Sequence, residues 1–194
     1  SMSGDADEGT ASFTMNGGSL TNKNGDIFFV NNTVATIDLT DVDITNEDRD
    51  GVFLRAEAAG WGSEGSNGGN VTLTASDQNI DGDIIVDDVS TLNLYLTDKS
   101  TFTGTIDADG EVYVEISNDS TWTLTADSSI TSLTCDSDSI VLNGYTLMVG
   151  GTEYTEGTSS SGTAVEANVS TGHSSNSEGH GGDKPDGEPP AKPE

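Results

Sequence analysis

Hydrophobic and polar residues alternate along much of the chain, and one alternating stretch occurs twice. The segment 92–103 has the sequence LNLYLTDKSTFT, and the segment 112–123, which begins 20 residues later, has the sequence VYVEISNDSTWT. In each copy, three apolar residues at every second position precede a four-residue polar turn and a second alternating run. A period of two is typical of a strand with one buried face, so each copy predicts short strands separated by a turn.

The spacing of the two copies predicts how these strands are arranged. A repeat of about 20 residues with two or three short strands is typical of a β-solenoid, whose coils stack about 4.8 Å apart. We therefore expect Leu94 to lie beside Val114, and Leu96 beside Ile116, in parallel strands. An antiparallel sandwich also has short alternating strands, but it gives no reason for neighbours to repeat residues in register. The predicted fold is all-β, a right-handed parallel β-helix, since parallel crossovers are almost always right-handed.

The same alternation occurs earlier in the chain and shows where the repeat is interrupted. Residues 34–44, VATIDLTDVDI, align with the repeat and predict the same strand of an earlier coil. The next matching strand begins at Val71, 36 residues after Ala35, where about 20 residues would complete a coil. The excess predicts an insertion over roughly residues 56–70, AEAAGWGSEGSNGGN, which projects as a loop from one face.

The two ends of the chain differ from the repeat. Residues 140–142 and 145–149 flank Asn143-Gly144, the preferred pair for a type I′ turn, and predict a C-terminal hairpin that caps the last coil. From residue 155 onward the composition predicts a disordered acidic tail that is rich in Gly, Ser and Pro. The predicted organisation is a leader, expression remnant or frayed first coil (1–12), a β-helix domain (13–154) and this tail (155–194).

Composition and charge restrict the possible partners. Hydrophobic residues make up 31% of the chain, which suits the thin core of a solenoid better than a globular core. The formal net charge of −28 repels phosphate backbones, so we expect no nucleic-acid partner, while divalent cations and neutral or cationic surfaces remain open. No apolar stretch is long enough to predict membrane insertion, and we expect a monomer. The single cysteine, Cys135, is expected to be a small core residue, because the two histidines lie in the predicted tail.

Three features of the sequence resemble a known family. The repeated S-T-F/W-T motif, the GWGSEGSNGG insertion and the NGYTLMVGG closing segment resemble secreted, adhesin-like right-handed parallel β-helix proteins of Firmicutes, a subset of the pectin-lyase-like superfamily. The resemblance covers about residues 13–154 and includes no catalytic motif. It implies an extracellular or cell-surface, non-catalytic module for adhesion or carbohydrate binding. A polysaccharide-lyase-like enzyme and a purely structural spacer of a surface protein remain alternatives.

The insertion contains the best candidates for contact with a sugar. An exposed indole can pack against a pyranose face, and neighbouring polar side chains can bond its hydroxyl groups. The alternative is that the tryptophan folds back as a lid on the coil. The candidate ligand-binding residues are Trp61, Ser63, Glu64, Ser66 and Asn67.

Pairs of aspartates at predicted turns are candidates for calcium, although no cofactor is required by the sequence. Calcium binds six to eight oxygen atoms, and carboxylates at equivalent turns of a solenoid would stack unless a cation separates them. Aspartate is also an ordinary turn former, which is the alternative. The candidate metal ligands are Asp81, Asp83, Asp107 and Asp109, with a further pair at Asp136 and Asp138.

Other residues of the repeat region suggest two further functions. A polysaccharide lyase of this superfamily would need a basic residue next to the α-proton of the sugar. The candidate is Arg49, in the segment 46–50 (NEDRD). The alternative is a solvated turn with internal ion pairs. Outward Thr-x-Thr motifs also suggest an ice-binding array. Only two consecutive coils, however, carry three threonines at alternate positions.

Overall fold

The chain winds into a parallel β-solenoid of about six coils, each with three short strands. The structure, a computed structural model, describes residues 9–60, 62 and 64–169, and these ranges contain no helix. The strands are β1 Gly9–Asn16, β2 Ser19–Asn22, β3 Phe28–Val30, β4 Thr33–Thr40, β5 Asp43–Asn46, β6 Leu54–Ala56, β7 Gly69–Ser76, β8 Asn79–Asp81, β9 Ile84–Val86, β10 Thr91–Thr97, β11 Thr101–Thr103, β12 Ile106–Ala108, β13 Glu111–Ile116, β14 Thr121–Thr123, β15 Ser128–Ile130, β16 Ser132–Cys135, β17 Ile140–Val141, β18 Leu147–Val149 and β19 Thr152–Glu153.

Every third strand along the chain lies on the same face of the solenoid. The first face is one six-stranded parallel sheet in the order β1-β4-β7-β10-β13-β16. On the second face β2 pairs with β5, and β8, β11, β14 and β17 form a four-stranded sheet next to them. The third face consists of β3, β6, β9 and β12, followed by β15 and β18. The solenoid predicted from the 20-residue repeat is therefore confirmed.

The alternating apolar residues of the first face form columns inside the solenoid. Leu94 lies beside Val114, and Leu96 beside Ile116, in parallel register, as predicted. Because side chains alternate between the two faces of a strand, the polar residues between these positions point outward. Three columns result: Ala35, Val71, Leu92 and Val112; Phe13, Ile37, Leu73, Leu94, Val114 and Leu133; and Met15, Leu39, Ala75, Leu96, Ile116 and Cys135.

Aromatic side chains form a column behind the second face. Phe102 and Trp122 are fully buried and stack with their ring centroids 5.6 Å apart. The indole Nε1 of Trp122 donates to the carbonyl oxygen of Gly104 at 3.0 Å, so its polar atom is satisfied. A side chain at Gly104 would place its Cβ 2.2 Å from the carbonyl oxygen of Gly82, which explains why glycine occurs there.

The polar turns between the first and second faces are stabilised by serine hydroxyls of the next coil. Asp98 and Lys99 have φ angles of 51° and 62°, a conformation in which Asp is better tolerated than most residues. The backbone amide of Gln78 donates to Ser100 Oγ at 3.1 Å, and that of Ser100 donates to Ser120 Oγ at 3.1 Å. Each turn therefore obtains an acceptor from the next coil, so the buried backbone amide keeps a partner.

A C-terminal hairpin is present, but it is not centred on Asn143-Gly144. These residues do form a turn, with φ angles of 55° and 85°. Their flanking strands β17 and β18 pair in parallel with β14 and β15, so the turn is a corner between two faces. The hairpin joins β18 to β19 through Gly150-Gly151. The local turn preference was correct; burial of Ile140 and Leu147 in the existing columns decided which strands pair.

Candidate functional site

The insertion predicted in the second coil is divided between two corners. Twelve residues separate β6 from β7, whereas four separate the equivalent strands β9 and β10. Seven residues also separate β5 from β6, where two separate β8 from β9. The prediction of a single insertion over residues 56–70 is therefore only partly correct. Residues 57–68 are called the insertion loop below.

The C-terminal part of the insertion loop is packed against the solenoid. Asn67 is 8% exposed, and its carbonyl oxygen accepts a hydrogen bond from the backbone amide of Asn32 at 3.0 Å. A Cβ on Gly68 would lie 2.3 Å from the carbonyl oxygen of Val89, so the loop follows the next corner closely. Of the predicted ligand-binding residues, Glu64 is exposed, Ser66 is half-buried and Asn67 is buried. Trp61 and Ser63 lie outside the described residues.

Residues 155–169, named the C-terminal strap, run back over the outer surface of the first face. The strap begins as a β-bridge in which the backbones of Cys135 and Ser160 exchange hydrogen bonds of 3.0 Å. The amide of Thr163 then donates to Ser132 Oγ at 2.9 Å. The tail boundary predicted at residue 155 is therefore wrong, because the chain stays on the solenoid for another 15 residues. The rest of the predicted tail, residues 170–194, lies outside the described residues.

Two asparagine side chains hold the far part of the strap. The side-chain amide of Asn93 donates to the carbonyl oxygen of Val165 at 2.9 Å, and its Oδ1 accepts the amide of Val165 at 2.9 Å. Asn70 pairs in the same way with Asn168, at 3.3 Å and 2.7 Å. Each asparagine side chain thus reproduces the donor and acceptor of a peptide group. This arrangement fixes a strap with no regular ladder of its own to the third and fourth coils.

The strap, the insertion loop and two corners of the third face meet at one place. The side-chain amide of Asn168 donates to the carbonyl oxygens of Gly65 and Val89 at 3.2 Å and 3.1 Å. Beside this junction lies a cleft of about 400 Å³, named the strap cleft. It is lined by Asp88, Ser90, Thr91, Asp109, Gly110, Glu111, Glu166, Ala167 and Asn168.

The strap cleft is acidic and rich in hydrogen-bonding groups. Four of its lining residues carry carboxylates, and none of its described lining residues is Lys or Arg. Ser90 Oγ donates to Asp87 Oδ1 and Thr91 Oγ1 donates to Asn70 Oδ1 at 2.9 Å, so the hydroxyl groups at its base are held in place. The four carboxylates belong to exposed residues, Asp88, Asp109, Glu111 and Glu166. The strap cleft can therefore accept hydrogen bonds from hydroxyl or amino groups of a ligand.

The predicted aspartate pairs do not stack on one another. Asp81 lies beside Thr103 on the second face, whereas Asp107 lies beside Ile85 on the third face. Asp83 Oδ1 accepts the backbone amide of Thr105 at 3.0 Å, and Asp109 lines the strap cleft. The expectation that equivalent turns bring these carboxylates together is wrong, because the pairs occupy different corners. Within the described residues, no group of three or more His, Cys, Asp or Glu is placed to hold a metal ion.

The basic residues near the second coil are arranged differently from the prediction. Arg55 Nε donates to Asp26 Oδ2 at 2.8 Å, and this hydrogen bond raises the pKa of Arg55. Asp48 Oδ2 accepts the backbone amide of Gly25 at 2.6 Å, which lowers the pKa of Asp48. Arg49 is exposed and forms no ion pair with a described residue. Asp48 and Arg55 thus join the corners of the first two coils, and Arg49 is not part of that contact.

Cys135 is a core residue, as expected. It is 4% exposed, and burial raises the pKa of its thiol, which disfavours the reactive thiolate. Its Sγ lies 3.8 Å from the hydroxyl of Tyr154, which packs over the last coil. Burial raises the pKa of Tyr154 to about 12. This pair therefore belongs to the closed C-terminal end of the core.

The described ranges include no helix that is long and apolar enough to cross a membrane. Comparison of the chain with models of protein families, with curated proteins and with solved structures finds no match.

Proposed function

We propose that the protein is a non-catalytic, extracellular or cell-surface module that binds carbohydrate in adhesion, as its resemblance to adhesin-like β-helix proteins of Firmicutes implies. The observation that supports this proposal is the strap cleft, which lies next to the only coil with two enlarged corners in the described solenoid. A carbohydrate site needs a concave surface and several hydrogen-bonding groups at fixed positions. The strap cleft has both, since carboxylate, hydroxyl and amide groups line it.

The charge of the cleft selects a class of sugar. Carboxylates accept hydrogen bonds from sugar hydroxyl groups and attract amino sugars, while they repel uronic acids and sulfated sugars. The net charge of −28 acts in the same direction over the whole surface and disfavours nucleic acid. We therefore propose a neutral or amino-sugar polysaccharide as the partner. No cofactor is required for such binding.

A glycan array with two variants tests the role of the cleft. The double variant Asp109→Asn with Glu166→Gln should weaken binding of the array ligand by about tenfold or more, because two charge-assisted acceptors are lost. The matched control is Asp136→Asn with Asp138→Asn, which makes the same chemical change at an exposed corner away from the cleft. Melting temperatures should stay near that of the wild type in both variants. Equal binding by the two variants would exclude the strap cleft as the glycan site, and no glycan bound by the wild type would favour the structural spacer.

The predicted role of Trp61 is tested separately. If Trp61 is an exposed platform for a sugar ring, Trp61→Ala should abolish glycan binding and leave the melting temperature nearly unchanged. If it is a lid on the coil, the same change should destabilise the domain by about 3 kcal/mol or more. Loss of stability with an unchanged glycan profile would contradict the platform.

A further inference from the structure

The corner between β17 and β18 places an exposed asparagine side chain next to an unpaired backbone amide. The amide of Tyr145 donates to the carbonyl oxygen of Leu142 at 2.9 Å, which closes a four-residue turn around Asn143-Gly144. Asn143 and Gly144 are both exposed. The turn bond leaves the amide of Gly144 without an acceptor among the described residues. This amide is therefore available for reaction with the side chain that precedes it.

We infer that Asn143 is a site of deamidation in the folded protein. The backbone nitrogen of Gly144 forms a bond to Cγ of Asn143, because a glycine has no Cβ to hinder the approach. The bond from Cγ to Nδ2 breaks, and ammonia leaves with the proton that the Gly144 amide gives up. Water then opens the resulting succinimide ring at one of its two carbonyl carbons. The product is aspartate, or isoaspartate, in which the main chain runs through the side-chain carboxyl group.

The structure protects the other Asn-Gly pairs of the sequence, which are 16–17, 24–25 and 67–68. The amide of Gly17 donates to the carbonyl oxygen of Thr40 at 2.7 Å. The amide of Gly25 donates to Asp48 Oδ2 at 2.6 Å, a hydrogen bond to a charged group. Asn67 is only 8% exposed, and the glycine after it is buried as well. Reaction at these pairs must first break a hydrogen bond or open a packed corner, whereas reaction at Asn143 requires neither.

Deamidation of Asn143 weakens the corner in which it lies. Its Nδ2 donates to the carbonyl oxygen of Leu124 at 3.3 Å, and a carboxylate cannot replace this donor. Carboxylates of Asp127 and Glu156 already accept backbone amides near the two ends of the turn, each at 2.8 Å, so a further negative charge is repelled. Isoaspartate also adds one atom to the main chain between β17 and β18, whose pairing with β14 and β15 fixes the span of the corner.

Peptide mapping by mass spectrometry tests this inference on the full chain, incubated in its folded state in mildly alkaline buffer. Asn143 should be modified about tenfold or more faster than Asn24, because reaction at Asn24 must first break the hydrogen bond from Gly25 to a carboxylate. In concentrated urea the Asn-Gly pairs should react at similar rates, since their dipeptide sequence is the same. Equal rates in the folded protein, or faster modification of another Asn-Gly pair than of Asn143, would overturn the proposal.

Three variants separate the contribution of the fold from that of the dipeptide. Asp48→Ala frees the Gly25 amide and should accelerate modification of Asn24, while Asn143 in the same chain keeps its rate. Asn143→Gln should remove the fast phase of ammonia release, because a glutamine must form a larger ring. Asn143→Asp, which has the charge of the product, should melt at a lower temperature than Asn143→Gln. An unchanged rate at Asn24 in Asp48→Ala would overturn the protective role of the hydrogen bond, and equal melting temperatures would overturn the weakening of the corner.

Discussion

Leu94 shows how one residue contributes to a solenoid core. Its side chain is fully buried between Leu73 and Val114, in a column that passes through six coils. Stacked side chains of similar size leave little space between coils, because the coils are only about 4.8 Å apart. A change at one position therefore affects the coils on both sides.

The first prediction follows from this packing. Leu94→Ala should lower the free energy of unfolding by about 3 kcal/mol, through lost burial and the cavity that remains. Thr103→Ala, an outward-facing position in the same coil, should change it by less than about 0.5 kcal/mol. Urea unfolding followed by circular dichroism measures both. Similar values for the two variants would contradict the column as the main source of stability.

Tyr154 gives a pH dependence at the residue scale. Burial, followed by its contact with Cys135, raises its pKa from 10.0 to about 12 in the folded protein. Between these two values the unfolded chain has released the phenolic proton while the folded chain retains it, so stability falls as pH rises. Below pH 10.0 the contribution of Tyr154 is fully present.

We therefore expect the melting temperature to fall from about pH 10 to about pH 12, and Tyr154→Phe to reduce this fall. Tyr113, whose pKa is also raised by burial, acts in the same direction and should leave a residual slope. Tyr145→Phe, at an exposed position, should keep the dependence of the wild type. An unchanged slope in Tyr154→Phe would show that another group is responsible.

At the scale of elements, the C-terminal strap does most to distinguish this solenoid from a plain stack of coils. Tyr113 has Asn93 and Ser132 as its neighbours in register, and both are bonded to the strap. Tyr113 is only 4% exposed although its position faces outward. The strap therefore both covers the first face and forms one wall of the strap cleft.

Truncation tests the strap as an element. A chain that ends at Gly157 should melt at a lower temperature than the full chain, because the bonds from Ser160, Thr163, Val165 and Asn168 are lost, each worth about 1 kcal/mol net. A chain that ends at Val169 is the matched control and should melt like the full chain. The shorter chain should also lose glycan binding if the strap cleft is the site. Equal melting temperatures for the two truncated chains would show that the strap adds no stability.

At the scale of the whole molecule, charge opposes folding. A net charge of −28 on 194 residues produces self-repulsion that the unfolded chain relieves by expanding. Salt screens this repulsion, with a Debye length of about 8 Å at physiological ionic strength. The melting temperature should therefore rise with NaCl.

Melting temperatures in divalent salts test whether the aspartates bind calcium. At matched ionic strength, CaCl₂ should raise the melting temperature more than MgCl₂ if the aspartates bind calcium specifically, since a ligand of the folded state stabilises it by mass action. Replacement of Asp81, Asp83, Asp107 and Asp109 by Asn should remove this difference. Equal effects of the two salts would leave these aspartates as turn formers.

The sequence alone determined the architecture, because the repeat reports contacts between consecutive coils. The register of Leu94 with Val114 follows from a spacing of 20 residues and a period of two, and both are visible in the sequence. The presence of an insertion before Val71 follows from the same spacing. Local turn chemistry was also visible at Asn143-Gly144, although it did not reveal which strands the turn connects.

Only the tertiary structure decided how the strap and the cleft are formed. The hydrogen bonds between Asn70 and Asn168 join residues that are 98 positions apart, and no local sequence pattern predicts them. A glycine- and serine-rich segment has the composition of a disordered tail, yet side-chain amides on an existing surface can bind its backbone. The exposure of Phe13 likewise depends on its place at the end of a column, since its alternation is that of any buried strand. Periodicity records which residues face inward, whereas position in the stack decides whether anything covers them.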